Sequence, residues 1–249
     1  MKCILLCAGY ATRLFPLTEN YPKALLEIEE GKPLLNYTVE EINRLKEIEE
    51  IYLITNDRFY KIFKEWSESL NNEKPITIIN DHTLSNDDRL GAIGDIQYTI
   101  NSKNISDDVL IISGDNLFEF NLREALDFYY EKKAPVVGGQ YENDEDLLTR
   151  LGVIEADENG KIVGFEEKPP HPKGNIKSLG IYIYPKHIVS VLKQYLEEGN
   201  KPDAPGYFLS YLYQKEPVYV FSFKGNWFDV GTHEALAEVR ELYKNKNWV

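Results

Sequence analysis

The 249 residues predict an α/β fold: a mostly parallel, partly mixed central sheet flanked by helices, with a β-hairpin lobe. Three observations carry that expectation. The chain opens on a branched apolar run that stops abruptly at small residues. From there to residue 141, short apolar runs alternate with amphipathic stretches, and beyond residue 151 two strand-like runs flank a four-residue turn.

Residues 1–7 (MKCILLC) read as a buried strand that empties into Ala8-Gly9-Tyr10-Ala11-Thr12-Arg13-Leu14. Small residues let backbone N–H groups approach an anion closely, and Arg13 with Lys23, ten residues on, neutralises its charge, so this loop suits phosphate. It is neither a Walker loop nor G-x-G-x-x-G, and Pro16 argues against a long helix here. Residues 33–46 place Leu34, Leu35, Val39, Ile42 and Leu45 at helical spacing, with Pro33 in the first turn. A second strand follows at 51–55. The helix over 58–70 carries Phe59, Ile62, Phe63, Trp66 and Leu70 on one face, an aromatic stripe read as core. With a third strand at 76–79 the order is β-α-β-α-β, which implies parallel pairing and ligands beyond the carboxyl ends of strands, where residues 8–13 lie.

The polar stretch 80–94 leads through Gly91-Ala92 into a helix over 92–100, and a fourth strand, 109–113, delivers Gly114-Asp115-Asn116 to the same edge. A helix over 123–133, a strand over 135–141 and an exposed acidic loop holding Glu142, Asp144, Glu145 and Asp146 come next. The hairpin pairs 151–156 with 161–167, and Lys168-Pro169-Pro170 ends its ladder. A strand at 178–184, a helix at 185–197, a strand at 218–223 and a closing helix from 232 complete one domain spanning 1–249.

A 43% hydrophobic content suffices for one sizeable core, and a net charge of −13 disfavours sequence-independent nucleic-acid binding. Cys3 and Cys7 are the only cysteines. Four apart on one strand, they read as buried free thiols in a reducing compartment. The N-terminal apolar run of about five residues is shorter than a secretory core, and no stretch reaches membrane-spanning length, so a cytoplasmic enzyme without a membrane partner is expected. His82, His171, His187 and His233 show no metal spacing.

Asp115 directly follows an apolar strand and reads either as a metal ligand or as a helix cap. Asp229, in Trp227-Phe228-Asp229-Val230-Gly231-Thr232, has the same two readings, with capping favoured. Two aspartates at separate strand ends facing a phosphate loop make a hard-oxygen site fit for Mg²⁺.

Leu6 to Leu14, then Pro16-Leu17-Thr18 and Pro22-Lys23-Ala24-Leu25-Leu26, resemble the signature of the sugar-1-phosphate nucleotidyltransferases, the NDP-sugar pyrophosphorylases. Ala8 and Ala11 stand where that family often has Gly, and alanine takes a left-handed backbone only at a cost. Ser113-Gly114-Asp115-Asn116 is similar to its G-D-N segment, Glu167-Lys168-Pro169 to its E-K-P segment, and Trp227 to Thr232 to its W-x-D-x-G-T segment. The resemblance implies a Rossmann-like, GT-A-type fold in which residues 1–141 mainly bind nucleotide, residues 142–231 mainly bind sugar phosphate, and 232–249 form a closing helix. It implies nucleotide contacts from Leu6, Ala8, Gly9, Thr12, Arg13, Asn80 and Gly91, and sugar-phosphate contacts from Gly152, Glu167, Lys168 and Gly180. Arg13, Lys23 and Asp115 would serve catalysis, with Mg²⁺ on Asp115 and Asp229.

The implied reaction joins an NTP to a sugar 1-phosphate and releases pyrophosphate. Two other classes stand beside it. A glycosyltransferase of similar fold would show D-x-D, which Asp144-Glu145-Asp146 matches only as a string in an acidic loop; a catalytically inactive nucleotide-sugar sensor would be free to lose Arg13, Lys23, Asp115, Lys168 or Asp229, and all five are present. The family's Gln-Pro motif for the base is replaced by Asn80-Asp81 and a longer polar stretch, with Asn80 as a candidate amide fork. No hexapeptide repeats follow, so no acetyltransferase activity is expected in this chain. The base, the sugar and any homo-oligomer are not set by these motifs.

Overall fold

The structure, a computed structural model, describes residues 1–244. The first half runs β1 (Lys2–Leu6), a small hairpin of β2 (Glu27–Glu29) and β3 (Lys32–Pro33), α1 (Leu34–Asn43), β4 (Glu50–Thr55), α2 (Asp57–Ser69), β5 (Ile76–Asn80), α3 (Ala92–Lys103), β6 (Val109–Ser113) and β7 (Asn116–Phe118). It continues with α4 (Leu122–Lys132), β8 (Val136–Tyr141), α5 (Glu145–Leu148), β9 (Gly152–Ala156), β10 (Ile162–Glu167), β11 (Ile176–Tyr184) and α6 (Ile188–Glu197). The last elements are α7 (Pro205–Leu212), β12 (Tyr219–Ser222), β13 (Trp227–Asp229) and α8 (His233–Lys244).

The predicted parallel sheet is there. β1 pairs in parallel with β4 on one side and β6 on the other, and β4 pairs in parallel with β5. These strands read as continuous apolar runs because both faces are covered. Leu5, Leu53 and Ile112 point into one layer with Val39, Ile42, Phe59, Phe63 and Leu126 of α1, α2 and α4. Ile4, Ile54 and Ile111 point the other way, onto Ile93, Ile96 and Ile100 of α3 and Phe208 and Leu212 of α7. β1 thus lies where the strand order reverses, and the loops after β1 and β6 open onto the same crevice.

The second half is mixed. β11 runs antiparallel to β6, β8 antiparallel to β11, and β12 parallel to β8. The start of β11 also pairs with β9, so the β9–β10 hairpin continues the sheet. A third, smaller core of Leu14, Leu26, Leu34, Tyr37, Leu117, Val230, Leu236 and Val239 joins the first loop to α8 and to an antiparallel β7–β13 ribbon.

The sequence does not anticipate several elements. β7 and β13 have three residues each, too few for any periodicity. α7 begins at Pro205 in its first turn and buries Phe208, Leu209 and Leu212 in a stretch with no predicted element. The acidic segment expected as a loop contains α5, because Asp144 caps it: its carboxylate accepts from Leu147 N at 3.1 Å. Of the closing helix expected over 232–249, residues 245–249 lie outside the described residues.

Gly114 decides how β6 can hand Asp115 to the crevice. Its N–H donates to Leu6 O at 3.0 Å, and a Cβ there would overlap the buried Cys7 sulfur. Gly114→Ala is expected to lower unfolding free energy by about 2 kcal/mol through overpacking. Adding Cys7→Ala should recover part of the loss, a coupling that a double-mutant urea titration measures.

Candidate active site

The loop after β1 is tied down along its length. Ala8 O accepts from Asn56 Nδ2 (2.9 Å), Ala11 O accepts from Thr18 Oγ1 (2.8 Å), and the buried Tyr10 donates its OH to Thr83 O (3.2 Å). Thr12–Leu14 form a single 3-10 turn, in keeping with Pro16 allowing no longer helix. Ala11 stands at φ 47° and ψ 43°. The left-handed shape expected of glycine is therefore kept by an alanine, at a cost of roughly 1–2 kcal/mol.

Two hollows open at this edge of the sheet. One, about 490 Å³, is lined by Leu6 to Arg13, Lys23, Gly91, Asp95 and Ser113 to Asp115. The other, about 1070 Å³, is lined by Gly152, Glu167, Gly180, Trp227, Asp229 and Glu234 among others. Arg13, Asp115, Lys168 and Ala204 line both, so the two form one continuous cleft.

At the junction Lys23, 8% exposed, reaches Asp115 Oδ2 at 3.1 Å and Asp229 Oδ1 at 3.5 Å. The two carboxylates meet because β13 pairs with β7 in a register that sets Asp229 opposite Asn116, the neighbour of Asp115. Neither carboxylate caps a helix. Asp115 leads into a strand, and the first turn of α8 is capped by Thr232, whose Oγ1 accepts from Ala235 N at 3.2 Å. Two oxygen-donor groups 49% and 38% exposed, converging on one ammonium, fit a small hard cation whose remaining positions are filled by water and phosphate. Among the described residues no cluster of three or more His, Cys, Asp or Glu side chains forms a fuller metal cage.

In the second hollow Glu167 sits opposite Gly152 in the β9–β10 ladder. Burial pushes the Glu167 carboxyl up, and the neighbouring Lys168 offsets part of that shift. Lys168 itself adopts φ 51°, and its N–H donates to Leu151 O at 3.0 Å, which turns the chain out of the strand at the rim shared by both hollows. Gly180 lies where the pairing of β11 with β8 shifts register. Lys177, paired with Glu142 at 2.8 Å, lies over the Trp227 ring and braces this wall.

One expected site residue is placed elsewhere. Asn80 lines neither hollow: its Nδ2 donates to Asp57 (2.7 Å) and its Oδ1 accepts from His82 N (2.8 Å), so both ends of its amide are spent at the end of β5. Leu6, Ala8, Gly9, Thr12, Arg13 and Gly91 are brought together in the first hollow; Gly152, Glu167, Lys168 and Gly180 in the second. Sequence reasoning missed Asp95, Arg89 and Asp203, which also line the first hollow. For Asp95 there was a signal: an acid set between Ile93 and Ile96 on a helix whose neighbours are apolar. His233 donates from Nε2 to Phe15 O (2.9 Å) and His187 meets Glu216 (2.9 Å), both on the exposed surface.

A family model described as nucleotidyl transferase matches residues 2–246. The chain is 31% identical to the bifunctional protein GlmU of Methanocaldococcus jannaschii, over 99% of its own length and 55% of that protein. It is 28% identical to the glucose-1-phosphate adenylyltransferase of Bacillus subtilis, over 95% of its length and 66% of that protein. The chain therefore spans little more than half to about two thirds of these curated relatives. A solved UDP-glucose pyrophosphorylase complexed with UDP-glucose shares the fold with a TM-score of 0.83, at 22% identity and 99% coverage of both chains.

Lys23→Met would remove the cation that contacts both aspartates. The variant is expected to lose about 1–2 kcal/mol of stability at pH 7, a value discounted because the aspartates are partly exposed. Thermal melting of wild type and variant at matched ionic strength checks it.

Proposed function

The chain belongs to the nucleotidyl transferase family, and from that premise we propose that it transfers a nucleotidyl group from an NTP to a sugar 1-phosphate, giving an NDP-sugar and pyrophosphate. The observation that carries the reading is the continuous cleft: a phosphate loop walls one half, a hairpin with Glu167 and Gly152 walls the other, and Arg13, Asp115 and Lys168 stand at their junction. A reaction between two phosphates needs that layout, with a site for each substrate and charge compensation where they meet.

In the proposed reaction an oxygen of the sugar 1-phosphate attacks the α-phosphorus of the NTP, the α–β phosphoanhydride bond breaks, and pyrophosphate leaves. Arg13 holds the triphosphate and the leaving pyrophosphate against the backbone of residues 8–12. Lys168 anchors the incoming phosphate, and Glu167, opposite Gly152, accepts hydrogen bonds from sugar hydroxyls. Two polyanions would otherwise repel, so placing them in line and stabilising charge on the phosphoryl oxygens is most of what the chain must do. Asp115 and Asp229 are proposed to hold Mg²⁺, which when bound neutralises phosphate charge and polarises the α-phosphate. Lys23 keeps the two carboxylates together and adds positive charge beside the phosphates.

The test is pyrophosphate release with Mg²⁺ over a grid of ATP, GTP, CTP, UTP and dTTP against several sugar 1-phosphates. One active pair is expected, abolished by Arg13→Ala and by chelation. Asp115→Asn should lower turnover by about 10²-fold or more while melting near wild type. Near-normal turnover in that variant would remove Asp115 from the metal site.

A further inference from the structure

The first hollow has two chemically different ends. Arg13, Lys23 and Lys168 gather at one, and the other is walled by Asp95, Arg89 and Asp203. The N-terminus of α3 faces this second end, but its first two N–H groups are already used: Ala92 N donates to Asp203 O and Ile93 N to Pro202 O, each at 2.9 Å. Gly91, at φ 78°, permits that contact, since a Cβ would come within 2.6 Å of Pro202 O. Those two N–H groups are therefore not free to hold a phosphate. Arg89 is likewise engaged, with Asp203 at 3.2 Å.

What this end offers is a carboxyl. Asp95 is 6% exposed, lines the hollow, and has a buried Oδ1 without a hydrogen-bond partner. Behind it, Asp81 accepts at Oδ1 from Thr83 N (2.7 Å) and Thr83 Oγ1 (2.8 Å), and its Oδ2 is also buried without a partner. Asp81 stands near enough to act on Asp95, and two carboxyls so placed in a buried site favour keeping one proton between them. Burial, with Asp81 alongside, pushes Asp95 up to about 8, so the pair holds one proton at neutral pH. The other charged groups acting on the pair are Asp88 and His82, both on Asp81 and opposite in sign. One shared proton supplies both orphaned oxygens and leaves Asp95 Oδ2 for the hollow. A carboxyl pair that keeps one negative charge, away from Arg13, Lys23 and Lys168, suits an N–H group and repels phosphate.

We propose that Asp95 is the nucleobase-reading residue of this cleft, its Oδ2 accepting a hydrogen bond from an N–H on the edge of the base while Asp81 holds it from behind. The proposal rests on the nucleotidyl-transfer reading. It also accounts for an Asn80 turned away from the hollow: the base is read one turn into α3, not from the end of β5.

The experiment is calorimetric binding of the five NTPs and of inorganic tripolyphosphate, with Mg²⁺, to wild type, Asp95→Asn and Asp95→Leu. Asparagine can donate to Asp81 and still present an oxygen, so Asp95→Asn should bind the tightest NTP within about threefold of wild type. Asp95→Leu should bind it about tenfold more weakly, the loss of one buried hydrogen bond. Tripolyphosphate, which has no base, should bind all three proteins equally. A leucine variant with wild-type NTP affinity, an asparagine variant as weak as leucine, or parallel loss of tripolyphosphate would overturn the proposal. If the leucine variant does not fold, wild type is titrated with an analogue of the tightest NTP whose base lacks N–H donors. About tenfold weaker binding supports the proposal and equal affinity overturns it. Wild type that binds tripolyphosphate but prefers no NTP over it refutes base reading alone; wild type that binds neither refutes nucleotidyl transfer as well.

Discussion

The cleft depends on a three-residue ribbon. β7 and β13 pair antiparallel so that Asp229 faces Asn116, and that register alone brings Asp115 and Asp229 to one ammonium. So short a ribbon has little stability of its own. It is held by what it packs on: Leu117 and Val230, both fully buried, lie in the small core with Leu14 and Leu236, and Asn116 donates from Nδ2 to Leu179 O at 3.0 Å. The same core anchors the end of the first loop at Leu14, so the loop that carries Arg13 and the ribbon that carries the carboxylates are joined in one packed unit.

The chain carries a net charge of −13, yet the cleft gathers Arg13, Lys23 and Lys168 at its centre. The acidic surface disfavours long polyanions such as nucleic acid while the local cations remain available to small phosphates. Burial sharpens this contrast. Lys23 is held between two carboxylates, which keeps an ammonium inside the fold, and at the far end of the hollow burial pushes the Asp95 carboxyl up beside Asp81. The cleft thus runs from the cations Arg13, Lys23 and Lys168 at its centre to carboxyls at its far end.

The alternation of strand and helix was legible because it rests on periodicity. The Val109–Ser113 strand and the buried stripe Phe59, Phe63 and Trp66 follow from local spacing and need no partner to be recognised. The loop after β1 was legible for a similar reason: small residues after a buried strand, with Arg13 and Lys23 close behind. Asn80 was expected in the cleft from its position in the chain, but it lines neither hollow, its side chain having found nearer partners in Asp57 and the His82 N–H. Ala11 shows the reverse case, a backbone shape that residue type disfavours and the surrounding hydrogen bonds impose.

By itself the sequence determined the α/β class, the buried strands and the identity of the charged residues fit for phosphate, since hydrophobic period and residue chemistry are local properties. Only the tertiary structure decided which of those residues meet. The choice of Asp115 and Asp229 as a pair over two helix caps, the joining of two hollows at Arg13 and Lys168, and the pairing of Asp81 with Asp95 all depend on registers and packing between segments far apart in the chain. Those are set by the sum of many small contacts, and no short stretch of sequence contains that sum.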